Sequence, residues 1–480
     1  MIVRRFYDDK LAQASYLIGC AVTGESVVVD PNRDVDQYLR AAEAEDLRIT
    51  HVTETHIHAD FVSGLRELAH RTGARIYLSA EGGEDWQYAF GDDAETGAAE
   101  RVLLRDGDEF RVGNVRLRAV HTPGHTPEHL TFLVTDGAAA DEPMAALTGD
   151  FLFVGDVGRP DLLEKAAGVT GTMEPGARQL FHSVRRFLEA YPDWLQIWPG
   201  HGAGSACGKG IGAVPQSTLG YERRFNWALQ YDDEDEFVRA VLEGQPEPPK
   251  YFAEMKRINR VGPGILNGFG LPELLPPDRL PSTLEAGEPV IDIRAARLFG
   301  AGHIPDTINI PLDRAFTTWA GWFIPYDRNF HLLADDERAV AEAIRDLALI
   351  GLDRVAGWFD TRALDHWRKS GRGELQTVER VDAGELRSRM DAGDTAVIDV
   401  RGESEWLAGH LPGVPNIPLG YLPDRLAELP RDRKLVIHCE SGVRSAIGIS
   451  LLQAAGFEDV AHVKGGYAAI LAESAERMVA

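Results

Sequence analysis

The 480-residue chain carries only three cysteines, Cys20, Cys207 and Cys439. So odd and sparse a set makes no disulfide framework, and a reducing, cytoplasmic setting fits it. Long hydrophobic runs are missing too: none approaches the ~20 residues of a membrane helix. Residues Met1–Gly19 have neither an apolar core nor a cleavage signal, so no export is expected. Positive charge is scarce: 50 Lys and Arg face 75 Asp and Glu, a formal net charge of −25. Phosphate binding needs clustered Lys and Arg, so nucleic acid and anionic membranes are not expected partners. What is present is apolar material, 44% of residues beside 26% charged. That suffices for several folded cores and excludes a disordered chain.

Strand and helix patterns alternate over residues 1–242. SYLIGCAV and SVVVDP read as strands, and DVDQYLRAAEAED as a helix with Asp34 as N-cap. EFRVGNVRLRAVH reads as a hairpin turning at Gly113-Asn114, AALTGDFLF as a strand, and ARQLFHSVRRFLEAY as a helix. Residues 243–281 are rich in Pro and Gly and read as a surface linker. An internal repeat follows: PVIDIRAARLFGAGHIPDTINIPL (289–312) matches AVIDVRGESEWLAGHLPGVPNIPL (396–419). It divides the rest into two small α/β domains, 282–373 and 374–480.

Chemistry-bearing residues gather where strands give way to loops. His56, His58 and Asp60 alternate in T-H-I-H-A-D (55–60), so in extended backbone they share a side. H-T-P-G-H-T carries His121 and His125, T-G-D ends at Asp150, and W-P-G-H-G holds His201. A lone histidine is usually structural, but this many His and Asp at strand ends indicate a metal site. In this order the segments resemble the metallo-β-lactamase superfamily. The resemblance implies a β-sandwich with helices on both outer faces and metal at one edge.

One position departs from the superfamily pattern. The residue after Asp60 is Phe61, where dinuclear zinc hydrolases of this fold place a histidine. Phe cannot ligate, which argues against a complete second site. Two His and one carboxylate with open positions are the triad of non-haem Fe(II) oxygenases. T-H-I-H-A-D, H-T-P-G-H-T, T-G-D and Gly158-Arg159-Pro160-Asp161 are similar to the persulfide dioxygenase branch. Carried over by position, this implies one Fe(II) held by His56, His125 and Asp150. His58, Asp60 and His201 would then orient ligands and hold water. Arg159 is either an anion-binding arginine for substrate or an ion-pair partner of Asp161. Cys207 lies in a glycine-rich loop just after His201, and a phosphate-loop reading fails on spacing. Glycines and Lys209 favour a catalytic thiolate there, against an idle buried thiol. Cys20 reads as a small core hydrophobe.

The last motif is C-E-S-G-V-R-S (439–445) between an apolar strand and a helix. Backbone N–H groups and the helix dipole stabilise a thiolate in such a loop. Gly442 permits the tight turn, Arg444 adds charge to the Cys439 nucleophile, and Ser445 can cap the helix. The loop resembles the rhodanese active loop, with Gly442 and Ser445 at the bound substrate. A cysteine phosphatase needs five residues between Cys and Arg, and here there are four. Aligning IGLDRV (350–355) with AGFEDV (455–460) sets Ala334 opposite Cys439 and Ala339 opposite Arg444. The middle copy is therefore an inactive spacer or interface.

The whole order resembles persulfide dioxygenase–rhodanese fusions: a metallo-β-lactamase αββα sandwich followed by two rhodanese-like α/β domains. The resemblance implies oxidation of a low-molecular-weight thiol persulfide by O2 to sulfite. Cys439 would pass a second sulfane sulfur to sulfite, giving thiosulfate. A homo-oligomer, dimer or tetramer, is expected. Two other readings compete: a dinuclear zinc thioester hydrolase of the glyoxalase II type fused to a rhodanese, and a non-catalytic sulfur carrier.

Overall fold

The computed structural model describes residues 1–90, 100–167, 171–245 and 247–479. Two units divide the chain: Met1–Phe269 with Ala348–Gly351, and Gly270–Leu347 with Leu352–Ala480. Among the described residues no helix is long and apolar enough to cross a membrane.

The first unit is built on two six-stranded sheets. One holds β1 (Ile2–Asp8), β2 (Gln13–Cys20), β3 (Glu25–Val29), β4 (Arg48–Thr53), β5 (Arg75–Ser79) and β6 (Arg101–Leu104) in that order. The other holds β7 (Glu109–Val112), β8 (Val115–His121), β9 (Leu130–Asp136), β10 (Ala145–Gly149), β11 (Gln196–Pro199) and β12 (Ser217–Thr218). Period-two alternation decides which side chains meet between the sheets. Ala14, Tyr16, Ile18 and Cys20 of β2 join Leu130, Phe132 and Val134 of β9 in one core. Leu17 and Leu133, one residue out of phase, face the outer layers. Helices Asp36–Ala44 and Leu65–Thr72 supply Tyr38, Leu65 and Leu68 to one outer layer. Helices Met173–Ala190 and Glu234–Leu242 supply Leu180, Phe187 and Phe237 to the other. Each such side chain, fully buried, is worth about 1.5–3 kcal/mol. The result is the expected four-layer αββα sandwich.

Three expectations change here. Asp34 is not the helix cap: Val35 holds that place without a side-chain bond. Asn32 Oδ1 instead accepts from Asp34 N and from Gln37 Nε2. The strand of AALTGDFLF stops at Gly149, leaving Asp150 in a turn. Most of all, residues 243–281 are more than a linker. Helix Phe252–Val261 buries Phe252, Met255 and Asn259, and the unit boundary falls after Phe269. The helix sits between Pro248-Pro249 and Gly262-Pro263, and that flanking composition hid it. Pro246 lies outside the described residues.

The second unit holds two parallel four-stranded sheets. The first contains β13 (Val290–Asp292), β14 (Ile308–Asn309), β15 (Phe330–Ala334) and β16 (Val355–Asp360), ordered β14-β13-β15-β16. The second contains β17 (Glu379–Val381), β18 (Thr395–Asp399), β19 (Lys434–His438) and β20 (Val460–Val463), ordered β17-β20-β19-β18. The repeat is a repeat of contacts. Arg294 pairs with Asp292 at 2.6 Å and Arg401 with Asp399 at 2.8 Å. Asn309 donates to the carbonyls of Asp292 and Arg294, as Asn416 does to those of Asp399 and Arg401. Strand register pairs Leu333 with Asp292 and His438 with Asp399, so Ala334 stands where Cys439 stands. The two copies share packing: Ile308, Trp319 and Phe323 lie against the core of the last sheet, and Asn309 N donates to Ser450 Oγ.

Candidate metal centre and sulfur-transfer loop

In the first unit, four segments beyond strand ends converge. β4 runs into residues 54–60, the β8–β9 connection carries His125, Asp150 follows β10, and His201 follows β11. The donor atoms of His56, His125 and Asp150 lie within 4.8 Å of one another, and all three residues are buried. Asp150 Oδ2 is 3.5 Å from His125 Nε2 and 3.8 Å from His56 Nε2.

Hydrogen bonds on the far side of each ring set its tautomer. Thr55 donates to Asp30 through its backbone N–H at 2.6 Å and its hydroxyl at 3.0 Å. Its oxygen is thereby left to accept from His56 Nδ1 at 2.9 Å. His125 Nδ1 donates to the Arg159 carbonyl at 3.0 Å, and His201 Nδ1 to the Ala12 carbonyl at 3.1 Å. Each Nε2 then carries a lone pair. Burial, then neighbouring imidazoles, push His56 well below its ordinary value; burial also lowers His125. Neutral rings are what a metal needs. The Nε2 atoms of His56 and His201 and both carboxylate oxygens of Asp150 and Asp60 are buried without a partner. Leaving such an atom bare costs about 1–3 kcal/mol. Lone pairs and carboxylates converging in this way fit a divalent cation, and the imidazole–carboxylate set suits a first-row metal.

His129 is a site residue that the motifs did not single out. Its Nε2 accepts from Asp150 N at 3.1 Å while Nδ1 reaches Thr122 Oγ1 at 2.9 Å, so it positions Asp150. Gly149, at φ +47°, makes this possible: a Cβ there would come within 2.4 Å of Thr55 Oγ1 and 2.7 Å of His129 Nε2. His58 turns the other way, with Nε2 3.2 Å from Asp30 Oδ1. Burial opposes its charge, but Asp30 prevails and raises it to about 9. Phe61 is buried against the His58 ring, 4.4 Å between centroids. Asn259 clamps this loop by donating to the carbonyls of His58 and Phe61 and accepting from Ser63 N.

In the second unit, Cys439 follows β19 and is buried. Its Sγ accepts from Gly442 N at 3.1 Å and Ser445 N at 3.4 Å, with Ser445 Oγ at 3.6 Å. Gly442 at φ 101° is the N-cap of helix Val443–Ala454. Ser445 therefore lies inside the first turn and does not cap the helix. Arg444 is paired with both oxygens of Glu405, at 2.5 and 2.7 Å, so its charge is shared with that carboxylate.

The metallo-beta-lactamase superfamily pattern matches residues 8–201 and the rhodanese-like domain pattern residues 382–473. A metallo-beta-lactamase of Staphylococcus aureus superposes with TM-score 0.67 at 42% identity, covering 75% of this chain and 99% of that one. The chain belongs to the metallo-beta-lactamase superfamily. A probable metallo-hydrolase of Burkholderia pseudomallei is 33% identical over 217 residues, 40% of this chain and 69% of its own. The mitochondrial persulfide dioxygenase ETHE1 of Bos taurus is 27% identical over 247 residues, 50% of this chain and 80% of its own. Residues 382–473 form a rhodanese-like domain.

Within this metallo-beta-lactamase fold the contacts favour one of the two readings of Arg159 and revise those of Cys207 and Phe61. Arg159 is fully buried, with Nε and one terminal nitrogen on Asp161 at 2.7 and 2.8 Å and the other on the Ala206 carbonyl at 3.0 Å. This is the ion-pair reading: the guanidinium is taken up by the Asp161 carboxylate and a backbone carbonyl. Arg159 N donates to the Cys207 carbonyl, so the residue ties His125 to the Cys207 loop. Lys209 does not assist Cys207: its Nζ donates to the carbonyls of Ala240 and Glu243 and lies over Trp227. Burial, then Asp150 and Asp60, push the Cys207 thiol well above its ordinary value, against the expected thiolate. Finally, Phe61 does not empty the neighbouring position of donors. Asp60, His201 and Cys207 offer ligand atoms within 4.8 Å of one another, and His201 Nε2 is 3.3 Å from Asp60 Oδ2.

Proposed function

We propose that the first unit is a persulfide dioxygenase holding one Fe(II) on His56, His125 and Asp150, and that Cys439 transfers sulfane sulfur to the sulfite produced. The observation supporting this most directly is that these three buried residues bring ligand atoms within 4.8 Å of one another, with His56 Nε2 and both Asp150 oxygens lacking a hydrogen-bond partner. The bound iron would supply binding and activation of O2 and of the persulfide sulfur. A thiol persulfide, O2 and water give free thiol, sulfite and two protons; four electrons pass from sulfur to O2. Asp60 Oδ2 and His201 Nε2, 3.3 Å apart beside the centre, would take up a released proton. At the second site the Cys439 thiolate attacks the terminal sulfur of another persulfide. The S–S bond breaks, the thiol departs with the proton, and sulfite then takes the sulfur as thiosulfate. Iron-loaded protein is expected to hold one iron per chain and to consume one O2 per persulfide oxidised, hence one O2 per two persulfides where thiosulfate is the product. Two zinc ions per chain, thioester hydrolysis and no oxygen uptake would overturn the reading.

A dinuclear hydrolase is the second reading, favoured by the Asp60–His201–Cys207 group. Cys207→Ser separates the two. One metal per chain should persist in the variant if only the first group is occupied. A fall from two to one, with weakening of about 10–100-fold or more in metal affinity, marks a dinuclear site.

Phe61→His adds an imidazole beside Asp60. Under the iron reading it should raise zinc content toward a second ion and lower oxygen turnover, because imidazole suits zinc as well as iron. Unchanged metal content and turnover would reduce Phe61 to packing against His58.

A further inference from the structure

The Cys439 loop is backed by a histidine that no motif marks. His462 sits on β20, between β17 and β19, and is buried. Its Nδ1 is 3.2 Å from Ser445 Oγ, which in turn is 3.6 Å from Cys439 Sγ. The Ser445 hydroxyl has one proton and three neighbours that can accept it: the sulfur, the Gly442 carbonyl at 3.2 Å, and His462 Nδ1 in its unprotonated tautomer. A proton on Nδ1 removes the last choice and makes the Ser445 oxygen an acceptor. An anionic sulfur is a stronger acceptor than a neutral carbonyl.

We infer that His462 is a positioning residue for sulfur transfer: Nδ1–H donates to Ser445 Oγ, and the Ser445 hydroxyl donates to the Cys439 thiolate. The sulfur then has three donors: Gly442 N, Ser445 N and Ser445 Oγ. Burial, then Arg380, push His462 down to about 4, so the ring is neutral and bears a single proton. With the thiol form the chain reverses: S–H donates to Oγ and Oγ–H to Nδ1. The inference rests on Cys439 as the sulfur acceptor, but its test has an arm independent of that role.

The full chain is compared with His462→Ala, His462→Asn, Ser445→Ala and the Ser445→Ala/His462→Ala double variant. Readouts are the alkylation rate of Cys439 by iodoacetamide at neutral pH, followed on its peptide, and kcat and KM for thiosulfate:cyanide transfer. Asn carries an N–H where Nδ1–H stood. His462→Ala should slow alkylation and lower kcat about tenfold, the scale of a hydrogen bond to a charged group, with KM little changed. His462→Asn should restore both to within about twofold. In the Ser445→Ala background, His462→Ala should add nothing. Wild-type behaviour of His462→Ala, equal losses in Ala and Asn variants, or losses that add to those of Ser445→Ala would overturn the inference. The expected alkylation pattern without sulfur transfer by the wild-type chain would instead overturn the functional reading alone.

Discussion

Asp150→Ala is expected to lose bound metal and oxygen uptake together while thiosulfate:cyanide transfer stays within about twofold of wild type, since sites without shared partners are independent. Asp150 presents both carboxylate oxygens to the cluster: Oδ2 faces His56 and His125, and Oδ1 lies 3.4 Å from His201 Nε2. Losing an outer partner of a ligand costs about 10–100-fold in affinity or activity, so losing the ligand itself should cost more than about 100-fold. Cys439 belongs to the other unit and shares none of these contacts. Metal analysis, oxygen electrode traces and cyanolysis on one preparation check all three statements. A variant that keeps its metal and its oxygen uptake would remove Asp150 from the ligand set.

Cys439→Ser is expected to shift the product from thiosulfate to sulfite while oxygen uptake continues at a similar rate. Sγ is the only thiol sulfur among the described residues seated at a strand end, under two backbone N–H groups and before a helix. An oxygen in its place cannot carry a persulfide. Sulfur transfer should fall at least about 10³-fold, a conservative figure for losing a nucleophile. If the first unit releases sulfite as proposed, the fusion would raise its local concentration around Cys439, within the reach the chain allows. Product analysis after subtracting the uncatalysed reaction of sulfite with persulfide is the measurement. Thiosulfate made undiminished by the variant would take the rhodanese loop out of the main pathway.

Motifs read within a few residues led to the same clusters the structure brings together. His56, His125 and Asp150 follow strand ends, and strand ends are visible as apolar alternation breaking into Gly, Pro and polar residues. The Cys439 loop carries its own turn and helix start, so its backbone was legible, whereas its partners Glu405 and His462 were not. The supporting contacts were not legible, because they cross the sequence. Asp30 reaches Thr55 across 25 positions, and Asn259 reaches the His58 carbonyl across 201. His129 looks like any other member of a polar loop until Asp150 N is seen to point at it. Cys207 was visible as a residue and misjudged as an environment, whereas the Arg159–Asp161 pair was one of two readings left open. Lys209, the neighbour of Cys207 in sequence, spends its charge on the carbonyls of Ala240 and Glu243.

The middle copy has an acidic, thiol-free segment where its sibling has a nucleophile, yet it keeps the Asp292–Arg294–Asn309 contacts and lays Ile308, Trp319 and Phe323 on the sibling's core. Substitutions at Ile308, Trp319 or Phe323 therefore alter the flank of the last sheet's core as well as the domain that carries them. Cutting the middle copy out would strip that apolar flank from the last domain and leave Ser450 Oγ without its donor at Asn309 N, so the thiol-free copy serves as a wall of its sibling.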